Sequence, residues 1–356
     1  MWAFLILTLL VLVLSLVILA LNNKLGGDRE ALLRLNQEKV LPSVSGENLL
    51  SALNGAGVYI PSGCGGKATC GLCKVQMDPH TEVLPTEEPF LSPEERKMGI
   101  RLACQHKVRG TVDISLPAHF LNASSFQAIA RSITSLNHDT RLLEFELDRP
   151  IRFMPGQFLQ IHIPGTEDEF RAYSIASSPL EEKNIRFLIR KVPGGLSTTF
   201  THEVLEVGDK LDIIGPFGDF IFQEKSKRPM LLIAGGSGMA PIYSILLYMA
   251  SKKLERSEAL FFFGARTRKD LFLEDEINEL SKALPFLKFI PALSHPEPGD
   301  LWQGETGLIT DVVDRHVKNA GKYEAYVCGS RPLVDAASSL LRGKGLSGEH
   351  IYFDAF

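Results

Sequence analysis

Four cysteines in this chain have the types and spacing of a redox centre. Cys64, Cys70 and Cys73 follow the pattern C-x5-C-x2-C inside the Gly-rich stretch Ser62 to Cys73, and Cys104 follows after thirty further residues. Four thiolates, three on one loop and one from afar, can hold two irons bridged by sulfide. Glycines at 63, 65, 66 and 71 let backbone wrap closely around such a group and aim N–H groups at its sulfurs. A centre of this kind moves electrons one at a time.

Two other chemistries compete for the same cysteines. Structural zinc usually draws its thiolates from two C-x2-C knuckles, and only one is present. Disulfides belong to small Cys-rich secreted domains, whereas this chain has five cysteines, an odd number, in 356 residues. Plant-type [2Fe–2S] ferredoxins use nearly this spacing, with one residue fewer in the first gap. The cysteines therefore point to a [2Fe–2S] cluster in a reducing compartment.

The elements that must position this centre fall into an anchor and three modules. Met1 to Leu21 carries no charge and is nearly all Leu, Val and Ile. As a helix it would span roughly 30 Å, the thickness of a bilayer core. A cleaved signal peptide would need a basic start and a small-x-small cleavage site, and neither is present. Residues 1–22 are expected to be a transmembrane anchor. Lys24, Arg29 and Arg34 behind it, mixed with Asp28 and Glu30, place the following domains in the cytoplasm. Asn22 to Ala31 is expected to be a short polar linker. A net charge of −4 without a Lys/Arg run argues against nucleic acid as a partner.

Residues 32–118 read as short strands and turns around the cysteine loop, with a helix from Pro93 capped by Ser92. Residues 120–225 are strand-rich, with β-like runs at 142–147, 158–163, 185–190 and 210–214, which suggests an antiparallel barrel. Within it, Arg171-Ala172-Tyr173-Ser174 sets a cation, a planar ring and a hydroxyl at a spacing suited to a flavin. Gly194-Gly195-Leu196-Ser197-Thr198 then opens a helix expected over 197–205, an anion-binding arrangement. Either segment alone is ordinary, a half-buried strand or a capped helix; their order makes them specific. Gly215-Pro216-Phe217-Gly218 makes a rigid turn at the end of the module.

From residue 226 to 356 strands alternate with helices. Met230 to Ala234 has the continuous apolar character of a buried parallel strand. Gly236-Ser237-Gly238-Met239-Ala240-Pro241 follows, a G-x-G-x-x-P relative of the dinucleotide fingerprint, with Pro241 expected to begin the helix. Ala259 to Arg266, Phe286 to Pro291 and Ala325 to Ser330 supply further strands, each ending where ligands of parallel sheets bind.

As an ordered set these segments resemble the F component of the Na+-translocating NADH:quinone reductases. The resemblance covers essentially the whole chain and rests on Cys64 to Cys73, Arg101-Leu102-Ala103-Cys104-Gln105, Arg171 to Ser174, Gly215 to Gly218, Gly236 to Pro241, Gly264-Ala265-Arg266, Ala292 to Gly307 and Asp354-Ala355-Phe356. It implies a multidomain fold: an N-terminal transmembrane helix, an α+β β-grasp [2Fe–2S] ferredoxin domain, an antiparallel β-barrel FAD domain and an α/β parallel-sheet NAD domain. It also implies roles. Cys64, Cys70, Cys73 and Cys104 would hold the cluster. Arg171 would pair with the FAD diphosphate, Ala172 and Tyr173 would lie along the flavin, and Ser174 would reach its N5 edge. Gly195, Leu196, Ser197 and Thr198 would cradle the diphosphate, and Gly236 and Gly238 would line the NADH site. Cys328 would approach the nicotinamide and Phe356 would stack on the flavin, so that Ser174, Cys328 and Phe356 form the catalytic set. For Cys328 the plain alternative is a small buried apolar residue, and for Phe356 a frayed terminus. The chain departs from the family in the short connection from Ile163 to Arg171, where members carry a long insertion, and in ending at Phe356 without trailing glycines. Both departures bear on docking to partner pump subunits rather than on the chemistry.

NADH delivers a hydride and a [2Fe–2S] cluster takes one electron, so FAD must sit between them. The expected function is a membrane-anchored NADH dehydrogenase subunit of the inner membrane, passing electrons to a quinone-reducing membrane complex of the kind that translocates sodium. With one helix, the chain itself offers no ion path. The alternative is the reductase component of an oxygenase or desaturase. A [2Fe–2S] redox sensor is a third reading, but no output segment remains once the modules are assigned. Arg266, Arg268 and Lys269 could meet the 2′-phosphate of NADPH, while the resemblance favours NADH.

Overall fold

The structure, a computed structural model, describes residues 2–25, 30–166 and 169–356. It divides into two compact units, Met1–Ala123 and Ser124–Phe356. The first begins with helix α1 (Trp2–Leu25), whose Phe4, Leu10 and Ile18 are exposed. The expected membrane-spanning anchor is met only in part. A helix forms, yet among the described residues no helix is long and apolar enough to cross a membrane. The side chains of 19–25 lie outside that description, as do Asp28 and Arg29, two of the charges that set the expected orientation. The expected polar linker also ends early, because strand β1 (Glu30–Leu35) starts at Glu30.

Behind it, β1 pairs antiparallel with β2 (Lys39–Val44), and helix α2 (Leu49–Gly55) follows, capped by the Asn48 side chain. Strand β3 (Lys74–Gln76), helix α3 (Pro93–Lys97), strand β4 (Ile100–Leu102) and strand β5 (Thr111–Ile114) complete the module. β5 returns parallel to β1, giving the order β2-β1-β5, while β3 and β4 form a separate ribbon joined to β5 by a bridge between Gln76 and Ser115. This mixed sheet, with α2 packed on one core, is the β-grasp arrangement. The alternation in β1 drives it: Ala31, Leu33 and Leu35 point inward against Leu49 and Leu53 of α2. Ser92 caps α3 as expected, in a capping box with Glu95.

The second unit starts with strands β6 (Ser124–Ser135), β7 (Thr140–Leu147), β8 (Phe158–His162), β9 (Phe170–Ser174) and β10 (Asn184–Arg190). After a short helix α4 (Leu196–Thr199), β11 (Lys210–Phe217) completes a six-stranded antiparallel sheet in the order β10-β7-β6-β11-β8-β9. A bridge between Ile175 and Phe187 joins its two ends and closes it as a barrel. The helix expected over 197–205 is four residues long and continues as a π-turn from Phe200 to Val204.

The remainder alternates: β12 (Met230–Gly235), α5 (Met239–Lys252), β13 (Ala259–Ala265), α6 (Glu274–Ala283), β14 (Leu287–Leu293), β15 (Glu305–Thr306), α7 (Ile309–His316), β16 (Glu324–Gly329), α8 (Arg331–Gly343) and β17 (Ile351–Ala355). All six strands are parallel, in the order β15-β14-β13-β12-β16-β17. α5 and α6 cover one face, and α7 and α8 the other. The chain runs outward from β12 and then returns to its other side at β16, which creates a crevice at the strands' carboxyl ends. Helix α5 begins two residues before Pro241, which sits in the first turn where a missing N–H costs nothing.

Leu53 is fully buried between α2 and the β-grasp sheet. Leu53→Ala is expected to cost about 2–5 kcal/mol, read as a lowered unfolding midpoint of the first unit in chemical denaturation of the full chain.

Candidate functional site

In the first unit the ligand loop turns on residues that adopt left-handed backbone. Gly65, Gly66, Ala68 and Gly71 all have positive φ. At Gly71 a Cβ would meet the Phe90 ring at 2.7 Å, so the loop is tied to the segment before α3 by a contact only glycine permits. The thiols form two pairs. Cys70 Sγ donates to Cys64 Sγ at 3.4 Å, and Cys73 lies against Cys104. Hydrogen bonding from Cys70 brings the Cys64 thiol down to about 4, and that from Cys73 brings Cys104 to about 6. Their partners are pushed up for the converse reason, with burial adding to it. Among the described residues no three His, Cys, Asp or Glu side chains gather as the ligands of one metal ion. Two thiols for each of two irons is the donor set a [2Fe–2S] cluster takes, and all four are free cysteines.

Two buried charges hold the segment of the distant Cys104 in place. Arg101 of β4 is 1% exposed and donates to the carbonyls of Thr81 (2.9 Å), Ile100 (2.7 Å) and Arg96 (3.2 Å). Glu87 is fully buried and accepts from the amides of Leu102 (2.5 Å) and Leu84 (2.8 Å) and pairs with His106 Nε2 at 3.1 Å. Burial would raise the Glu87 carboxyl, but His106 and the two amides hold it below its usual range. Gln105 Nε2 reaches Cys104 Sγ at 3.3 Å, a donor to a ligand sulfur. The sequence marks the Arg101–Gln105 segment but not that charge holds it.

In the second unit the two segments expected to hold FAD are brought together. Tyr173 OH on β9 and Ser197 Oγ on α4 lie 2.7 Å apart. Arg171 is held by Glu169 at 3.0 Å and by the Phe170 carbonyl, and Ser197 and Thr198 are buried. With only four residues, α4 contributes little macrodipole, so an anion here would rely on local N–H groups.

The crevice of the parallel sheet meets the barrel at the same place. A Cβ on Gly238 would lie 2.3 Å from the Cys328 carbonyl oxygen, so only glycine lets the turn after β12 approach β16. Gly236, with φ of 56°, lies close to Arg190, whose Nη1 is 3.8 Å from where a Cβ would be. Cys328 is wholly buried, and burial, with the Asp354 carboxyl beside it, pushes its thiol far up. Asp354 is its neighbour across the ladder of β16 and β17 and accepts from Ser174 Oγ at 3.3 Å. Ser174, Asp354 and Cys328 therefore converge. Phe356 follows directly, its amide on the Gly329 carbonyl at 3.1 Å and its side chain exposed. The sequence marks Asp354 only within the Asp354-Ala355-Phe356 ending and Arg190 only as the end of a strand; that each meets its partner emerges through the fold.

Residues 33–109 match the family described as a 2Fe-2S iron-sulfur cluster binding domain, 127–222 the oxidoreductase FAD-binding domain, and 232–339 the oxidoreductase NAD-binding domain. The F component of the Na+-translocating NADH-quinone reductase of Neisseria meningitidis is 31% identical over 98% of this chain and 97% of its own length. The chain belongs to the family of these NADH-quinone reductase F components, which are flavin and [2Fe–2S] oxidoreductases. FAD, NADH and a [2Fe–2S] cluster are its cofactors. The propane 2-monooxygenase reductase component of Mycolicibacterium goodii is 32% identical over 87% of this chain and 92% of its own length. The phenol hydroxylase P5 protein of Acinetobacter pittii is 35% identical, covering 87% of this chain and 89% of that one. The cytochrome P450 reductase GcoB of Amycolatopsis superposes with a TM-score of 0.76 at 28% identity, over 92% of this chain and 98% of that one. The alignment to the Neisseria protein runs to 398 positions against 356 residues here, so that relative carries residues this chain lacks.

Burial raises the Asp354 carboxyl to about 6, so the folded state holds its proton more tightly than the unfolded chain. The stability this gives is full below about pH 4, the unfolded value, and is lost as pH rises through about 6. Asp354→Asn is expected to remove that loss, seen as a flatter unfolding free energy from pH 4 to 7 in FAD-free protein.

Proposed function

We propose that this chain is a membrane-anchored NADH dehydrogenase subunit that passes single electrons to a quinone-reducing complex in the inner membrane, its folded units facing the cytoplasm. The observation that carries this reading is the combination of three cofactor-binding modules with the apolar helix α1. The alignment to the Neisseria protein takes in nearly the whole chain, whereas that to the phenol hydroxylase protein covers 87% of it. α1 has 24 residues, and its described Leu, Val and Ile side chains stand exposed, an apolar surface that calls for a cover.

In this reading Cys64 and Cys70 hold one iron, and Cys73 and Cys104 the other. Arg171 would pair with the FAD diphosphate, held also by the segment Gly195 to Thr198, and Ala172 and Tyr173 would lie along the flavin. Gly236 and Gly238 admit the dinucleotide backbone, with Arg190 beside them for its phosphates. Bound together, these groups convert a hydride into electrons released singly. The Ser174 hydroxyl, which donates to the Asp354 carboxyl, would lie at the flavin edge. Cys328, kept neutral by burial, would shape the nicotinamide side, and Phe356 would cover the flavin face. A second reading, the reductase of an oxygenase, is favoured by the 35% identity to the phenol hydroxylase protein and by the short 163–171 connection.

Anaerobic NADH titration should bleach the flavin and develop a reduced [2Fe–2S] EPR signal. In Cys70→Ser the EPR signal is expected to vanish while flavin bleaching persists. Bleaching lost together with the cluster would count against separate sites. Removing residues 1–25 should shift the protein from the membrane to the soluble fraction and abolish NADH oxidation coupled to membrane quinone, while NADH–ferricyanide reduction continues. Retention on membranes after truncation would refute the anchor. Undiminished NADH-driven turnover of a hydroxylase, with no quinone reduction by membranes, would favour the second reading.

A further inference from the structure

The far end of the dinucleotide crevice, beyond β13, is built from opposed charges. Arg266, Arg268 and Lys269 follow the strand, and in NADPH-binding sheets cations at this place receive the 2′-phosphate. Here two of the three are already engaged. Arg268 is ion-paired with Glu274 at the start of α6, and its guanidinium lies 5.7 Å from the Trp302 ring centre. Lys269 Nζ is 3.1 Å from Glu297 Oε2. Asp300 Oδ2 accepts from the Arg268 amide at 3.3 Å and from the Glu297 amide at 2.7 Å, so the loop carrying Glu297 is fixed against the Arg268 turn. Asp270 faces inward to the Thr267 amide and hydroxyl, at 2.7 and 2.8 Å. With Arg266 included, three cations stand against four carboxylates. A phosphate entering here would meet a net negative field.

We propose that Glu274 and Glu297, supported by Asp300, are the coenzyme-specificity residues of this oxidoreductase: they occupy Arg268 and Lys269 and exclude the 2′-phosphate, so that NADH is the donor. The inference rests on reading the β12 and β13 ends as the dinucleotide site. The ion pairs are exposed and contribute little to stability. Their effect is on availability and field. A cation held by a carboxylate must give up that partner before binding phosphate, and the carboxylate then stays nearby as a like charge to the ligand. Trp302 adds a steric element, because a guanidinium lying against its ring is not free to swing into the crevice.

The test uses full-length, cofactor-loaded protein and calorimetric binding of NAD+ and NADP+, with steady-state NADH and NADPH kinetics alongside. In the double variant Glu274→Gln with Glu297→Gln, the ratio of the NADP+ to the NAD+ dissociation constant is expected to fall by at least about tenfold, equivalent to about 1.4 kcal/mol. In the unmodified protein that ratio should shrink as salt is raised, because the exclusion is electrostatic. If both coenzymes gain affinity by the same factor, the specificity claim is overturned while the site stands. If neither affinity moves, the placement of the dinucleotide is overturned with it. Should the double variant fail to retain its flavin and cluster spectra, Glu297→Gln alone, an exposed position, decides by the same ratio.

Discussion

The second unit depends on the absence of a side chain at residue 238. The Cys328 carbonyl leaves 2.3 Å where a Cβ would stand, so the turn after β12 can press against the end of β16 only as glycine. From that contact the rest follows in order. The parallel sheet opens at its switch point, β17 runs beside β16, and Asp354 is delivered to Ser174 across 180 residues of sequence. A methyl group at 238 would push apart the turn after β12 and the end of β16 before it disturbed the core beneath, where Met230 to Ala234 are wholly buried.

The two units solve the problem of buried polarity in different ways. In the first, charge is used as a fixture. Arg101 is held by carbonyls alone and Glu87 by two amides and His106, and together they fix the strand that precedes Cys104. A buried charge with its hydrogen bonds complete is costly to move, so Cys104 is held in one place. In the second, the Asp354 carboxyl accepts from the Ser174 hydroxyl and the Ala355 amide, yet burial still raises it to about 6.

What the sequence made legible was chemistry carried by contiguous residues. The cysteine spacing, the Arg171–Ser174 strand and the glycine turn at 236–238 each contain their own reason. The pairings of Asp354 with Ser174 and of Arg190 with Gly236 were not legible because the partners are remote in sequence and meet only through closed topology. Strand β6 is not evident in the sequence because its inward residues are mostly small, Ala128 and Ala130 behind Phe126, and lack the large side chains that mark a strand. The helix expected after Gly195 shortened because the chain shifts to π hydrogen bonding at Phe200, a change that no pattern of side chains announced. The start of strand β1 was expected as linker because Glu30 follows a polar stretch, whereas Ala31 is already buried.

The pairing of the thiols has a consequence for how the protein must be made. Cys64 and Cys70 bring their sulfurs to 3.4 Å, and the former loses its proton readily. A thiolate beside a thiol, before iron reaches them, is poised for oxidation to a bond that would occupy half of the cluster's ligands. Such a bond between Cys64 and Cys70 would take both sulfurs out of the set available to iron, so the spacing that brings the two together also makes the pair sensitive to oxidant.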